Sequence, residues 1–323
     1  MIVGGGLLGL STAYALRGRR DVLVLEQETV GHARGGSHGP TRIFRLGYPD
    51  RRYVEMAQRA AQRWRALEAD AGVALLQRTP QLTFGPGAGA VLAALAAADA
   101  PVVKISAGAI AEEFPAFAGH GPAVLELGSA VIAADRTLAA LRDTAGAEVR
   151  EHVRVEHIDA HRVETADETF EARTVVACAG PWTRALVPDL PTTTTLEHVA
   201  YLRAGAGLPI FVDYAEPAVY GLPTPGSDLY KIAVHHGGPA IDPTREFTPV
   251  PAAVEALRHT IDRWLPGAEI VRVDVCPYDN TADQDFIVRR IDGVVVGAGS
   301  SGHGFKFGPL LGEQLARLVL ADE

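Results

Sequence analysis

The sequence predicts an α/β protein with an α+β second lobe, and three stretches carry that prediction. At the start, Met1 to Val3 reads as a strand, Gly4-Gly5-Gly6-Leu7-Leu8-Gly9 as a turn, and Leu7 to Leu16 as a helix. At the end, Val294 to Val296 reads as a buried strand, followed by a Gly-rich turn and a helix opened by Gly308 and Pro309. Between them, Pro188 to Val273 is β-rich, with Thr, Val and Tyr runs broken by Pro. A strand, a Gly-rich turn and a helix in succession is the arrangement in which α/β proteins hold phosphates.

The first turn carries the more specific signal. Gly4, Gly6 and Gly9 have the GxGxxG spacing, and the next apolar run, Val22 to Leu25, ends at Glu26. The glycines allow a backbone to approach a pyrophosphate, the helix N-terminus attracts its charge, and the acid accepts from a ribose hydroxyl. The two ends of the chain are therefore expected to meet in a Rossmann-type lobe around one dinucleotide.

Composition narrows the class. The 323 residues suffice for a large core divided between two lobes. Lys+Arg 30 against Asp+Glu 39 gives a net charge of −9, which disfavours nucleic acid as a partner. Two cysteines are too few for a disulfide framework and point to a reducing cytoplasm. The apolar residues 1–16 lack a positive flank and carry three successive glycines, so neither a signal peptide nor a membrane span is expected.

Each further element follows in order. His32 to Arg45 is a polar, basic, Gly-rich loop leading into an extended segment, where Arg42 and Arg45 could face solvent or fork onto an anion or an electron-rich ring. Val54, Ala57, Ala61, Trp64 and Ala71 recur at helical spacing over Arg51 to Ala71. Residues 81–130 mix short apolar runs, Gly/Pro breaks and an Ala-rich helix near 88–98. A helix is expected over Asp135 to Ala145, with strands near Glu148–Val155 and Arg173–Cys178 before Ala179-Gly180-Pro181-Trp182. Cys178 ends an apolar run and reads as a core thiol. In AVYGLPTPGSDLYKIAVHH, two neighbouring strands are expected around a turn near Gly226. Spacing leaves open whether Lys231 faces solvent on an edge strand or is desolvated beside a cofactor. His235 and His236 have no acid or thiol at ligand spacing, and no metal is expected. A helix over Pro251 to Trp264 leads to the C-terminal stretch. The expected division places 1–80, 131–187 and 274–323 in the nucleotide lobe, and 81–130 and 188–273 in the substrate lobe.

GGGLLGLSTAYAL with Glu26, then SHGPTRIFR, YGLP with KIAVHH, CPY, and SSGHGFKFGP together resemble the monomeric sarcosine oxidase and N-methyltryptophan oxidase group. These belong to the D-amino-acid-oxidase-like flavoproteins. The resemblance runs in order over nearly the whole chain and implies FAD facing an antiparallel sheet. Residues expected on the cofactor are Gly4, Gly6, Gly9, Glu26, Thr41, Arg42, Gly180, Trp182, Gly302, Gly304, Phe305 and Lys306. It further implies that Cys276 carries the flavin through a thioether; the residues alone leave a plain core thiol as the other reading.

By the same resemblance, Arg45 and Lys306 grip a substrate carboxylate, Lys231 activates dioxygen, and Tyr220, His235, Tyr278 and His303 shape the amine pocket. Two cations on one carboxylate would fix its orientation over the flavin, and a fixed charge would stabilise electron transfer to oxygen. The implied reaction passes a hydride equivalent from the carbon next to nitrogen, releases an imine and returns the electrons to O2 as hydrogen peroxide. Pro40, Pro181, Pro277 and the segment after Trp182 depart from the family pattern, so sarcosine and a bulkier or cyclic amino acid both stand as substrates. The expected protein is a cytoplasmic monomer that oxidises a secondary or cyclic amino acid, without nucleic-acid or membrane partners. A flavin dehydrogenase or desaturase passing electrons to a carrier is the alternative enzyme. A non-catalytic flavoprotein is disfavoured by the presence of Arg45, Lys231, His303 and Lys306.

Overall fold

The computed structural model describes residues 1–204 and 207–321. The N-terminal strand is only Ile2–Val3, yet it lies inside a six-stranded sheet. It pairs in parallel with Leu23–Leu25 on one side and Val176–Ala177 on the other. Glu148–Arg150 extends the sheet beyond Leu23–Leu25, while Val294–Ala298 and then the antiparallel Ile287–Ile291 extend it beyond Val176–Ala177. Two residues suffice because both edges are paired and both side chains are buried. This is the Rossmann-type arrangement, with Val294–Ala298 from the far end of the chain placed one strand away from Ile2–Val3.

Helices Leu7–Leu16 and Gly308–Leu320 pack on that sheet and on each other. Their approach is close: a Cβ on Gly312 would lie 2.4 Å from the Ser11 carbonyl carbon. Helix Arg51–Ala71 packs outside them, opened by Asp50 accepting from the Arg52 amide at 2.8 Å and closed by left-handed Gly72. Its buried face is Val54, Ala57, Ala60, Trp64 and Leu67; Ala60 and Leu67 take the places that the sequence pattern gave to Ala61 and Ala71.

The second sheet has eight strands, in the order Glu269–Asn280, Thr193–Arg203, Leu229–Val234, Val219–Pro223, Ile210–Asp213, Gln81–Phe84, Ala123–Glu126, Val102–Ile105. Every neighbouring pair is antiparallel except Ile210–Asp213 with Gln81–Phe84. Helix Pro251–Trp264 covers one face through Leu257, Ile261 and Trp264, with the Trp264 ring stacked 4.3 Å from Phe211. The division expected between 273 and 274 falls inside strand Glu269–Asn280, because its ladder with Thr193–Arg203 continues past that point to Asn280. That continuity carries Cys276 and Tyr278 from the second sheet toward the first.

Candidate active site

A cavity of about 870 Å³ lies between the two sheets and is lined at once by the glycine turn, the end of strand Glu269–Asn280 and the 300–306 turn. At its nucleotide side Gly4 has φ +105, and a Cβ there would fall 2.4 Å from the Cys178 carbonyl oxygen, so this turn requires glycine. Gly6 is the N-cap of helix Leu7–Leu16 and has no side chain to cap the helix, so the amides of the first turn face the cavity. Ser37 takes one of them, its hydroxyl accepting from the Leu7 amide at 3.1 Å. Glu26 is buried and accepts from the Gly5 amide at 2.7 Å and the Glu28 amide at 3.0 Å. Gly180 and Trp182 close this side, with the Trp182 indole donating to the Pro243 carbonyl.

Two residues expected on the cofactor stand elsewhere. Gly9 lies behind the turn: a Cβ there would sit 1.9 Å from the Gly4 carbonyl, so its small size serves packing. Thr41 is fully buried, does not line the cavity and donates its hydroxyl to the Pro223 carbonyl at 2.9 Å, tying strand Thr41–Phe44 to strand Val219–Pro223 of the eight-stranded sheet. Its neighbour Arg42 does face the cavity, donating to the carbonyls of Gly36, His38 and Thr41 with its guanidinium 5.4 Å from the Phe305 ring. Gly302 and Gly304 also line it, and Gly302 has a specific duty. With φ +71, it leaves room for the Tyr278 ring, whose Cε2 would lie 2.0 Å from an added Cβ.

At the other side, side chains from distant positions converge. Lys306 Nζ donates to the Tyr48 hydroxyl at 2.8 Å and the His303 carbonyl at 2.9 Å. Tyr48 Oη lies 3.2 Å from His303 Nδ1, while His303 Nε2 meets the Gln284 carbonyl at 2.9 Å. Arg45 Nη1 donates to the Tyr214 hydroxyl at 2.7 Å, and its guanidinium lies 4.5 Å from the Tyr48 ring. Tyr220 and Tyr278 bring their hydroxyls within 3.4 Å, with the His235 ring beside both. Lys231 is interior to its sheet, paired to Tyr201 and Leu222, which removes the edge-strand reading; its ammonium donates no hydrogen bond among the described residues.

Burial shapes the charges. It pushes Lys231 down to about 7, helped by Arg42, and pushes Lys306 well below the usual lysine range, helped by Arg45. His303 falls to about 3 through burial and the Lys306 charge, and His235 falls well below its ordinary value through burial and His236. Both imidazoles are therefore neutral near pH 7. Arg42 and Arg45 keep their charge despite burial and line the cavity together with Lys231 and Lys306, so an anionic ligand would find donors there. Cys276 is a free, buried thiol on the cavity wall, 3.9 Å from the Gly36 carbonyl oxygen. Cys178, also free, is a buried thiol raised to about 12 by desolvation. Among the described residues no group of His, Cys, Asp and Glu is arranged to hold a metal, and no helix is long and apolar enough to cross a membrane.

Sequence reasoning missed Tyr48, Tyr214, Ser37 and Glu126. Glu126 is buried, and its two oxygens accept from the amides of Leu46 and Gly47, holding the turn between Arg45 and Tyr48. A lone acid on a short strand offers no motif; only the proximity of Tyr48 to Arg45 in RLGYPD could have drawn attention to it.

Residues 1–318 match the DAO family, described as FAD dependent oxidoreductase. The chain belongs to this family. Similar curated relatives include the peroxisomal sarcosine oxidase of Mus musculus, 33% identical over 99% of this chain and 91% of that protein. The monomeric sarcosine oxidase of Bacillus sp. (strain B-0618) is 31% identical over 100% and 92%, and the N-methyl-L-tryptophan oxidase of Yersinia pestis (strain Pestoides F) is 30% identical over 100% and 95%. Among solved structures, NikD, an unusual amino acid oxidase essential for nikkomycin biosynthesis, superposes with a TM-score of 0.86, covering 100% of this chain and 93% of that one at 24% identity. Glycine oxidase from Geobacillus kaustophilus gives 0.84, covering 100% and 94% at 22% identity. These two likenesses show the fold. FAD is the family's cofactor, and the residues present fit it: a glycine cradle that a Cβ would fill, a helix N-terminus whose N-cap is Gly6 and a buried acid all border the cavity.

Proposed function

We propose that this chain is an FAD-dependent oxidase of a secondary or cyclic amino acid, forming an imine while O2 becomes hydrogen peroxide. The observation that carries this reading is the pairing of Arg45 and Lys306 around Tyr48, in the same cavity as the glycine cradle. Sarcosine and N-methyl-L-tryptophan, in the names of two relatives, are both N-methyl amino acids and match such a pocket.

Bound FAD would supply the electron-pair acceptor for the carbon–nitrogen oxidation and the donor to oxygen. In this reading Arg45 and Lys306 hold the carboxylate, Tyr48 fixing their separation, so that the amino-acid carbon is presented in one orientation. Neutral His235 and His303, with Tyr220 and Tyr278, surround the amine without adding a positive charge that would repel a protonated substrate. Lys231 faces the same cavity and would stabilise the negative charge developing on dioxygen. Cys276 presents a free thiol to the cavity, and we assign it the covalent link to the flavin. Gly4, Gly6, Glu26, Arg42, Gly180, Trp182, Gly302, Gly304, Phe305 and Lys306 remain as cofactor contacts; Gly9 and Thr41 act from behind. The two free thiols suit a reducing cytoplasm, and a monomer is in keeping with the Bacillus relative's name.

The test supplies sarcosine, proline and N-methyl-L-tryptophan in air and measures peroxide against amine consumed. One peroxide per imine supports the proposal. Consumption only with an artificial electron carrier supports a dehydrogenase instead, and no consumption of any secondary amino acid refutes both.

A further inference from the structure

Tyr214 belongs to none of the motifs along the chain, yet it touches the residue assigned to the carboxylate. It follows strand Ile210–Asp213, and two features pin its backbone: its amide donates to the Phe84 carbonyl at 3.2 Å, and buried Asp213 accepts from the Ala215 amide at 3.1 Å. One side of the ring rests against Gly87, where an added Cβ would lie 2.6 Å from Tyr214 Cβ and 2.8 Å from Cγ. From that seat the phenol reaches across to Arg45, 2.7 Å from Nη1, with its ring centre 5.6 Å from the guanidinium carbon. Tyr48 stands against the same guanidinium, so Arg45 is held between two tyrosines from segments far apart in the chain, one after strand Thr41–Phe44 and one after strand Ile210–Asp213.

We infer that Tyr214 is the specificity-determining residue of the pocket, fixing Arg45 with its hydroxyl and excluding bulky α-substituents with its ring. The first atom of an α-substituent lies two bonds from the carboxylate carbon. A ring hydrogen-bonded to the arginine that grips this carboxylate therefore stands where a large substituent would enter. The substrate class is then N-substituted amino acids with hydrogen or a small group on the α-carbon, and sarcosine fits better than N-methyl-L-tryptophan. This inference rests on the pocket being an amino-acid site.

The experiment uses the FAD-loaded protein and two probes, acetate and indole-3-acetate, with affinities measured by titration calorimetry. Tyr214→Ala, and Tyr214→Leu to keep apolar packing on Gly87, should raise the affinity for indole-3-acetate relative to acetate by roughly tenfold or more, the scale of steric discrimination in such pockets. Tyr214→Phe should weaken both probes together and leave their ratio unchanged, because only the hold on Arg45 is lost. The ratio of kcat/KM for N-methyl-L-tryptophan over sarcosine should rise in parallel. A wild-type protein that binds acetate, with a probe ratio unmoved in both the Ala and Leu variants, overturns the inference alone. A wild-type protein that binds neither probe overturns the carboxylate site itself, and this inference with it.

Discussion

Lys231 and Cys276 enter the cavity from neighbouring regions of one sheet, but their assigned roles make separable demands. Lys231 is buried and lowered to about 7, so its charge is present below that pH and lost above it. Replacing it with Met should slow flavin reoxidation by oxygen on the order of 10²-fold while leaving reduction by substrate within a few-fold. In the wild type that reoxidation should also slow as pH rises through about 7, and the Met variant should be flat; stopped-flow absorbance reads both. Equal slowing of the two half-reactions would remove Lys231 from oxygen chemistry. Cys276→Ala should release yellow colour into the filtrate after denaturation, whereas the wild type keeps it on the polypeptide. Colour that filters away from the wild type as well would leave Cys276 a structural thiol.

At the scale of elements, the site depends on how helix Arg51–Ala71 and the 300–306 turn fit together. Trp64 is fully buried, and its indole donates to the Lys306 carbonyl at 2.7 Å, fixing the backbone from which Lys306 reaches Tyr48. Trp64→Phe keeps a ring beside Phe305 but leaves that carbonyl without its donor. The expected cost is about 1–3 kcal/mol in denaturant unfolding, with weaker binding of carboxylates; an unchanged midpoint would show that the bond does not matter. The Arg63–Glu313 ion pair one residue away ties the same helix to Gly308–Leu320, so the variant should still fold. Elements were unevenly legible. Helices Leu7–Leu16, Arg51–Ala71 and Pro251–Trp264 coincide with their expected spans, because apolar spacing, caps and Pro or Gly punctuation are local signals. The expected boundary near 273 falls inside strand Glu269–Asn280, which continues by pairing with residues far away in sequence, a continuity no local pattern records.

At the scale of the whole molecule, the buried cavity groups predict an acid response. His303 and His38 are lowered to about 3 and about 4, chiefly by burial, and His235 lies well below its ordinary value. The unfolded chain binds these protons near pH 6.5 and the folded chain does not, so their contribution is present above 6.5 and is lost as pH falls toward 4. Asp279, raised to about 6 by burial, and Glu126, also raised by burial, oppose this at the acid end, but His120, His198 and His236 are lowered as well, so six imidazoles stand against two carboxyls. Lys231 adds a second rise in stability between about 7 and 10.5, since its folded form releases the proton first. Denaturant midpoints measured from pH 4 to 9 should therefore climb through both windows; a maximum near pH 5 would contradict the burial of these groups.

The candidate site was legible where its residues lie in runs. SGHGFKF and CPY point to His303, Lys306, Cys276 and Tyr278, and all four line one cavity. Tyr214 and Glu126 were not legible, since each touches Arg45 or its turn from another part of the chain, and Tyr48, three residues from Arg45, carries no motif of its own. Thr41 lies off the cavity because its hydroxyl is taken by the Pro223 carbonyl, a contact 182 positions away that no local pattern records.

The central claim is that one cavity oxidises a secondary amino acid and passes the electrons to oxygen. Its most direct test is an anaerobic titration of the purified yellow protein with sarcosine, followed by admission of air. Sarcosine should bleach the flavin band and the colour should return on aeration, with one peroxide formed per sarcosine consumed. Bleaching that persists in air would contradict the oxidase, and a spectrum unmoved by sarcosine, proline or N-methyl-L-tryptophan would contradict the assignment of the pocket to amino acids of this class.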